Sequence, residues 1–251
     1  WSSDVCSSDL SKEIVSNNSI EGIENSPSEI NDIISRKIIT TNSNDVRVTN
    51  LYKGYKYILK KKEINKENLK ELYGILSNSI LSDYDLNNMG NFYRKKDVYI
   101  IISKLYGDYD KGIDVRLIER YMNYYFNFIK NYDLDDSKKD SFIKSQIMHF
   151  YFVYIHPYFD VNGRTSRTVS MWHLINNNAS SYLNFNRAIN FSRPKYYDVI
   201  KKTKKTGILN YFLDYIQGSS IKKMALMFIA SRLDENEINN LKNVFSAFDK
   251  T

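Results

Sequence analysis

A mainly α-helical fold with one small β-hairpin follows from three features of the 251-residue sequence. Pro (3) and Gly (9) are too scarce for a turn-rich β architecture. Apolar residues recur at the three-to-four spacing of amphipathic helices along most of the chain. One stretch breaks that pattern: turn residues at Gly90-Asn91-Phe92-Tyr93-Arg94, then the β-branched run Val98-Tyr99-Ile100-Ile101-Ile102, which predicts a hairpin or flap.

Ser11 to Gly22 is expected as a short helix, with Ile14, Val15 and Ile20 as its apolar positions and Glu21-Gly22 closing it. Ser26-Pro27-Ser28-Glu29 starts the next, with Pro in the first turn and Glu near the free amides. Asp45 to Lys61 and Asn65 to Ile80 carry helical periods. After the hairpin, Asp114 to Lys130, Asp140 to Ile155, Gly163 to Ile175 and Tyr196 to Tyr215 complete the helical body. Gly218 to Lys250 is a weaker helical tail. Trp1 to Leu10 differ from the Lys/Ile/Asn-rich remainder and are set apart as a non-native leader. The expected division is thus a leader 1–10, an N-terminal helical region 11–25, a single core domain 26–217 and a C-terminal tail 218–251 beside the core.

Apolar content of 42% and aromatic content of 14% allow a substantial core. No apolar run approaches the roughly 20 residues needed to cross a bilayer, so no membrane association is expected. The single cysteine, Cys6, excludes an internal disulfide and a cysteine zinc site, and with no signal peptide suits the cytoplasm. His149, His156 and His173 lack zinc spacing; His149 and His173 fall on apolar helical stretches and are assigned to the core. The aromatic run Tyr121 to Phe128 is likewise core plus tyrosine surface, given its helical spacing. The net charge of +7 is spread along the chain, so nucleic-acid binding is not expected. The dense runs Lys60-Lys61-Lys62, Lys201-Lys202 and Lys204-Lys205 are assigned mainly to solvated helix faces, with docking of an anionic partner as the lesser alternative.

Chemistry concentrates at His156-Pro157-Tyr158-Phe159-Asp160-Val161-Asn162-Gly163-Arg164-Thr165-Ser166-Arg167. Pro157 forces its predecessor out of helical geometry, so the helix before it stops and presents His156. Asn162 and Gly163 open the next helix, whose first amides and dipole favour an anion. Arg164 and Arg167, three apart, share a helix face and suit a polyphosphate. Asp160 offers one carboxylate, which with phosphate oxygens and water is how Mg²⁺ is often held. His156 can take a proton from an attacking hydroxyl near neutral pH. Singly, each residue is more often structural: a capped histidine, a turn aspartate, surface arginines. Their convergence points to phosphoryl or nucleotidyl transfer.

This run resembles the signature of Fic (filamentation-induced-by-cAMP) domains: His-Pro-Phe, any residue, Asp or Glu, Gly-Asn-Gly-Arg, two residues, Arg. It matches at His156, Pro157, Asp160, Asn162, Gly163, Arg164 and Arg167; Tyr158 stands for Phe and Val161 for the first Gly. A β-branched residue does not easily take φ > 0, so either this loop does not need glycine's freedom or it binds phosphate more weakly. The resemblance extends over about residues 16–215. Met89 to Arg94 with Val98, Tyr99 and Ile100 resembles the Fic flap, which adds a target's backbone as a strand; Gly90, Tyr93, Arg94, Val98 and Tyr99 are its implied docking residues. Tyr196-Tyr197 resembles the downstream pair near the adenine, which implies Tyr197 as a nucleotide contact.

The resemblance implies transfer of AMP from ATP, with Mg²⁺, to a Ser, Thr or Tyr hydroxyl of a target protein and of the chain itself, and self-association as relatives often show. It implies His156 as base, Asp160 as metal ligand, and Val161, Asn162, Gly163, Arg164 and Arg167 at the phosphates. Asn17-Asn18-Ser19-Ile20-Glu21-Gly22 resembles the family's inhibitory helix, Ser or Thr, three residues, Glu, then Gly or Asn, with Asn17 in the Ser/Thr place. A carboxylate on Arg167 would neutralise it and fill the γ-phosphate's space; the alternative is an ordinary helix-end residue. Other chemistries on the same scaffold stay open: removal of AMP, transfer of another nucleotide or phosphocholine, phosphorylation. So does a non-catalytic nucleotide- or protein-binding module.

Overall fold

Helices begin and end here where the sequence supplies partners for their free backbone groups. The computed structural model describes residues 7–35, 42–103, 108–131, 138–179, 185–216 and 218. Helix α1 (Ser7–Ile20) ends in a turn with Gly22 at φ +80°. It starts within the ten residues set apart as a leader, and Leu10 packs into the core. Helix α2 (Pro27–Ser35) opens on a reciprocal pair: the Glu29 N–H donates to Ser26 Oγ at 3.2 Å, and the Ser26 N–H to Glu29 Oε2 at 2.7 Å. Asn42 caps α3 (Ser43–Ile58) and Asn65 caps α4 (Lys66–Ser77). Ser82 and Asp85 form a capping box on α5 (Asp83–Asn88), a helix the periodicity missed because it buries none of its residues.

The hairpin exists, but with a different partner strand. Strand β1 (Tyr99–Ser103) pairs antiparallel with the later segment β2 (Asp108–Lys111), with Tyr99 opposite Lys111 and Ile100 opposite Asp110. The earlier turn at Gly90 is closed on itself by a Met89–Arg94 bridge. The polar β2, Asp-Tyr-Asp-Lys, carries no apolar run to announce it.

Helix α6 (Ile118–Asn131) follows a 3-10 turn at Val115–Leu117. Helices α7 (Lys138–Ile155) and α8 (Asn162–Asn176) pack together across the six-residue loop 156–161. Helix α9 (Phe185–Phe191) was not expected, and the helix expected over Tyr196 to Tyr215 is divided: α10 (Arg193–Thr206) stops at Gly207, φ +70°, before a short helical segment at 210–216. The expected tail beyond Gly218 lies outside the described residues.

Helix α8 is buried at every position from Arg164 to Ile175, although half of it is polar. Most of these groups are bonded, as burial requires, although Thr168 Oγ1 and Arg164 Nε are not. Ser170 Oγ donates to the Ser145 carbonyl of α7 at 2.9 Å, and the Trp172 indole N–H to the Lys61 carbonyl at 2.6 Å. One core cluster gathers Tyr55, Phe152 and Trp172, and a second joins Ile20, Leu174, Tyr196 and Phe212. At roughly 1.5–3 kcal/mol per buried large side chain, these clusters fix the start of α8 to well-packed neighbours. Among the described residues, no helix is long and apolar enough to cross a membrane.

Candidate active site

The loop between α7 and α8 is held by its own side chains. Asn162 is the main clamp: its Oδ1 accepts the Tyr158 N–H at 3.0 Å, and its Nδ2 donates to the Tyr158 carbonyl at 2.9 Å. Both ends of the amide are therefore engaged with the backbone, so Asn162, expected at the phosphates, sets the loop's shape while also lining the cleft beside His156. The Tyr158 ring is buried and stacks on Tyr73, centroids 3.5 Å apart at 11°. Such a stack adds about 0.5–1.5 kcal/mol to the burial.

Val161 takes φ +65° and ψ 9° at the N-cap of α8. The loop does need the left-handed conformation that glycine gives elsewhere in the family signature, and this chain adopts it with a β-branched residue. Strain of about 1–3 kcal/mol is stored there. Burying the isopropyl group returns a comparable amount, about 1.5–3 kcal/mol. Val161→Gly is therefore expected to change stability by no more than about 1 kcal/mol, or up to about 4 °C in melting temperature. A much larger loss on thermal melting would show that Val161 is not strained.

His156 also lies at positive φ, +53°. Its N–H closes the last turn of α7 onto the Phe152 carbonyl at 2.9 Å. The Arg94 Nε donates to the His156 carbonyl at 2.9 Å, while the Arg94 N–H donates to the Pro157 carbonyl at 3.0 Å. The Arg94 guanidinium further bonds the carbonyls of Lys96 and Ile113, both at 2.6 Å. Arg94, expected at the docking flap, is buried and braces the loop 156–161 against the hairpin's base. Tyr93, likewise expected at the flap, has its side chain buried in the core, and Gly90 sits in the closed turn that leads to it. Of the expected docking residues, Tyr99 on β1 is 67% exposed and lines the cleft, and Val98 is half-buried. Gly112 was not singled out, yet a Cβ there would come within 2.7 Å of Arg94 Nη2 and 2.9 Å of Val98 Cγ1.

These elements enclose a cleft of about 330 Å³ lined by His156, Asp160, Gly163 and Arg167, with Glu21 and Tyr197 at one side and Tyr99 and Lys204 at the other. Burial pushes the His156 pKa down to about 3, with Lys204 and Arg94 acting the same way and the Val153 carbonyl and Asp110 opposing. The imidazole is thus neutral at physiological pH. Asp160 is exposed, with one oxygen on the Val161 N–H at 2.6 Å. No group of three or more His, Cys, Asp or Glu gathers among the described residues. A hard cation shared with phosphate oxygens and water needs only one such carboxylate, so Asp160 fits Mg²⁺ in that form.

Helix α1 closes the cleft. Glu21 Oε1 meets Arg167 Nη2 at 2.5 Å, and Arg167 Nε donates to Asn17 Oδ1 at 2.9 Å. Asn17 is completely buried and also donates to the Tyr55 hydroxyl at 3.0 Å, so it serves in the Ser/Thr place with a bond to spare. The side chain of Glu21 keeps 31% exposure, but its charged end sits over Gly163. A Cβ on Gly163 would lie 2.6 Å from Glu21 Oε1, so only glycine leaves room for the carboxylate. Burial favours the neutral form of Glu21, but the charges of Arg167 and then Arg164 outweigh it and hold the carboxyl below its ordinary value. Tyr197 donates to the Ile20 carbonyl at 3.2 Å and Arg193 to the Ser19 carbonyl at 2.5 Å, which fixes the end of α1. Arg164 is buried beside this group and does not line the cleft.

Glu13, two turns before Glu21 on α1, is buried against Asn186 of α9. Burial raises its pKa to about 8, against the Asn186 hydrogen bond and the Arg167 charge. From about 4.5, the ordinary value of a glutamate carboxyl, up to about 8 the folded state holds this proton more tightly than the unfolded chain. Stability contributed by this group therefore falls as pH rises through that window. Glu13→Gln is expected to raise the melting temperature by several degrees at pH 8, worth on the order of a few kcal/mol, and by much less near pH 4.5. Equal effects at the two pH values in a thermal melt would contradict a neutral buried acid.

His149, as expected, is a core residue, bonded through Nε2 to the Tyr196 hydroxyl at 2.6 Å. Lys204 departs from the solvated-face assignment: its side chain is 10% exposed and ion-paired with Asp110 of β2. Only tertiary contact brings α10 against β2, so the lysine run alone gave no sign of it.

Residues 63–174 match the model of the Fic/DOC family. No curated protein matches the chain. Among solved structures, a Fic family protein from Desulfovibrio desulfuricans G20 superposes with a TM-score of 0.74 at 16% identity, covering 90% of this chain and 67% of that one. Fic-1 from C. elegans (aa134 - 508) gives 0.62 at 13% identity, with 88% and 63% covered. A Fic domain containing signaling protein from Bacteroides thetaiotaomicron gives 0.54 at 14%, with 85% and 84% covered. The fold is shared with all three, and the chain spans less than two thirds of the C. elegans protein's length.

Proposed function

Because this chain carries a Fic domain, we propose that it is a protein adenylyltransferase held in check by Glu21. The observation that carries this reading is the cleft in which a neutral, half-buried His156 and the Arg167 guanidinium meet near the amino end of α8. In the proposed step a Ser, Thr or Tyr hydroxyl attacks the α-phosphorus of ATP and gives its proton to His156; the bond to the β-phosphate oxygen breaks and pyrophosphate leaves. The free amides at Asn162 and Gly163 and the helix dipole favour the anion. Arg167, once released, pairs with the terminal phosphates, in the space above Gly163 that Glu21 fills. Asp160 would hold Mg²⁺, which supplies charge neutralisation of the phosphates. Asn162 and Arg94 act by fixing the loop that carries His156. Tyr197, 37% exposed on the cleft wall, would contact the adenine. The acceptor hydroxyls include those of other proteins and of the chain itself.

Incubation of the Glu21→Gly protein with ATP, Mg²⁺ and a cell extract, followed by intact-mass analysis, tests the reaction class. An added adenylyl group is the expected result. An added phosphate or phosphocholine, removal of AMP from a modified protein, or no adduct at all would overturn it.

A further inference from the structure

A second cleft, of about 440 Å³, opens between β2 and α10. It is lined by Lys111, Lys201, Lys204 and Lys205, with Asp110 as the single carboxylate and Ile113 and Tyr154 as apolar surface. Asp110, Lys201 and Lys204 line the His156 cleft as well, so the two openings share a wall. We infer that this second cleft docks an acidic stretch of the acceptor protein, beside the hydroxyl that reaches His156. The inference rests on the adenylyltransferase reading for the word acceptor, and on charge and shape for the rest.

Three observations carry it. The lining has four lysines to one carboxylate, with Lys111 paired to Asp97 outside the lining at 2.8 Å and Lys204 to Asp110, and on α10 Lys201, Lys204 and Lys205 stand three and four residues apart, so they project from one side of the helix. Lys204 is nearly buried and pairs with Asp110, which at 32% side-chain exposure can turn to solvent when another carboxylate takes its place. That exchange keeps the buried ammonium paired throughout, which avoids the large penalty of an isolated charge. The third observation is position: the Lys204–Asp110 pair ties α10 to the hairpin strand facing Tyr99 and Ile100, so an acceptor lying along the hairpin must pass it. Tyr154 is tilted against Tyr121 and stacked near Phe150, and Lys204 Nζ stands 6.0 Å over its ring, so a base stacking there would have to displace the lysine. A peptide is therefore favoured over a nucleic acid.

The test uses the full chain carrying Glu21→Gly, with and without Lys201→Glu and Lys205→Glu, and two fluorescent serine peptides flanked by glutamates or by glutamines. Binding is read by anisotropy without ATP, so a failure of the enzymatic reading does not obscure it. The glutamate peptide is expected to bind about tenfold tighter than the glutamine peptide. That preference is expected to vanish in the charge-reversed protein and to shrink as salt is raised. Matching melting curves for the two proteins show that the exposed substitutions leave the fold intact. Equal binding of the peptides, binding indifferent to the charge reversal, or a single-stranded RNA oligonucleotide outcompeting the glutamate peptide would overturn the inference. Docking without any AMP transfer would leave the binding site standing and remove the enzymatic reading instead.

Discussion

Glu21→Gly is expected to raise AMP transfer and self-modification by about tenfold to a hundredfold. The carboxylate contributes one short charge-assisted contact to Arg167, and such bonds are worth about 1.5–3 kcal/mol. At about 1.4 kcal/mol per factor of ten, losing it shifts the competition between Glu21 and the nucleotide's terminal phosphate by one to two decades. The substitution leaves Asn17 on Arg167, so the guanidinium stays oriented while its charge is freed. It also empties the space above Gly163, which the carboxylate oxygen would share with a Cβ only 2.6 Å away. Glu21 lies outside α1, in the turn before Gly22, so helix stability is little affected. A labelled-ATP assay on both proteins decides: equal rates would mean that Glu21 is an ordinary helix-end residue.

His156→Ala, made in the Glu21→Gly protein, is expected to lower transfer by about a hundredfold to ten-thousandfold, the range that positioned proton acceptors contribute. Because burial and the Lys204 and Arg94 charges keep the imidazole neutral, its protonation does not limit the free enzyme between pH 8 and pH 6. A bound triphosphate raises that pKa by placing negative charge beside it, so a rate loss on acidification belongs to the nucleotide complex. The fold should survive. His156 sits at φ +53°, where alanine costs about 1–2 kcal/mol, a shift of a few degrees in melting temperature. His156→Asn, which tolerates that conformation better, keeps the comparison clean. Retained turnover in both variants with native melting curves would remove His156 as the base.

Much of this site is local, and therefore legible in the sequence. Pro157 ends α7, the small polar residues at 162 and 163 start α8, and Glu21-Gly22 closes α1, each within a few residues of its cause. Val161 marks the boundary of such reasoning. The sequence raised two options for it, a loop with no need of glycine's freedom or weaker phosphate binding, and the observed φ of +65° removes the first. The partner of β1 was misplaced for a related reason: strand pairing is non-local, and the polar Asp108–Lys111 has no apolar alternation to identify it. Arg94 shows the same limit. Its neighbours in the chain suggest a flap residue, whereas its guanidinium is spent on carbonyls 2, 19 and 62 residues away.

Sequence by itself determined the helical class, the loop between α7 and α8 with its imidazole and arginines, and the presence of a carboxylate before Gly22. These depend on periodicity and on backbone stereochemistry, which act over one or two turns. Only the tertiary structure decided that Glu21 meets Arg167 across 146 residues of chain, that Asn17 supports that contact, and that Lys204 joins Asp110 beside His156. Such meetings come from the burial of apolar faces that lie far from the charges involved, so no local pattern around those residues encodes them.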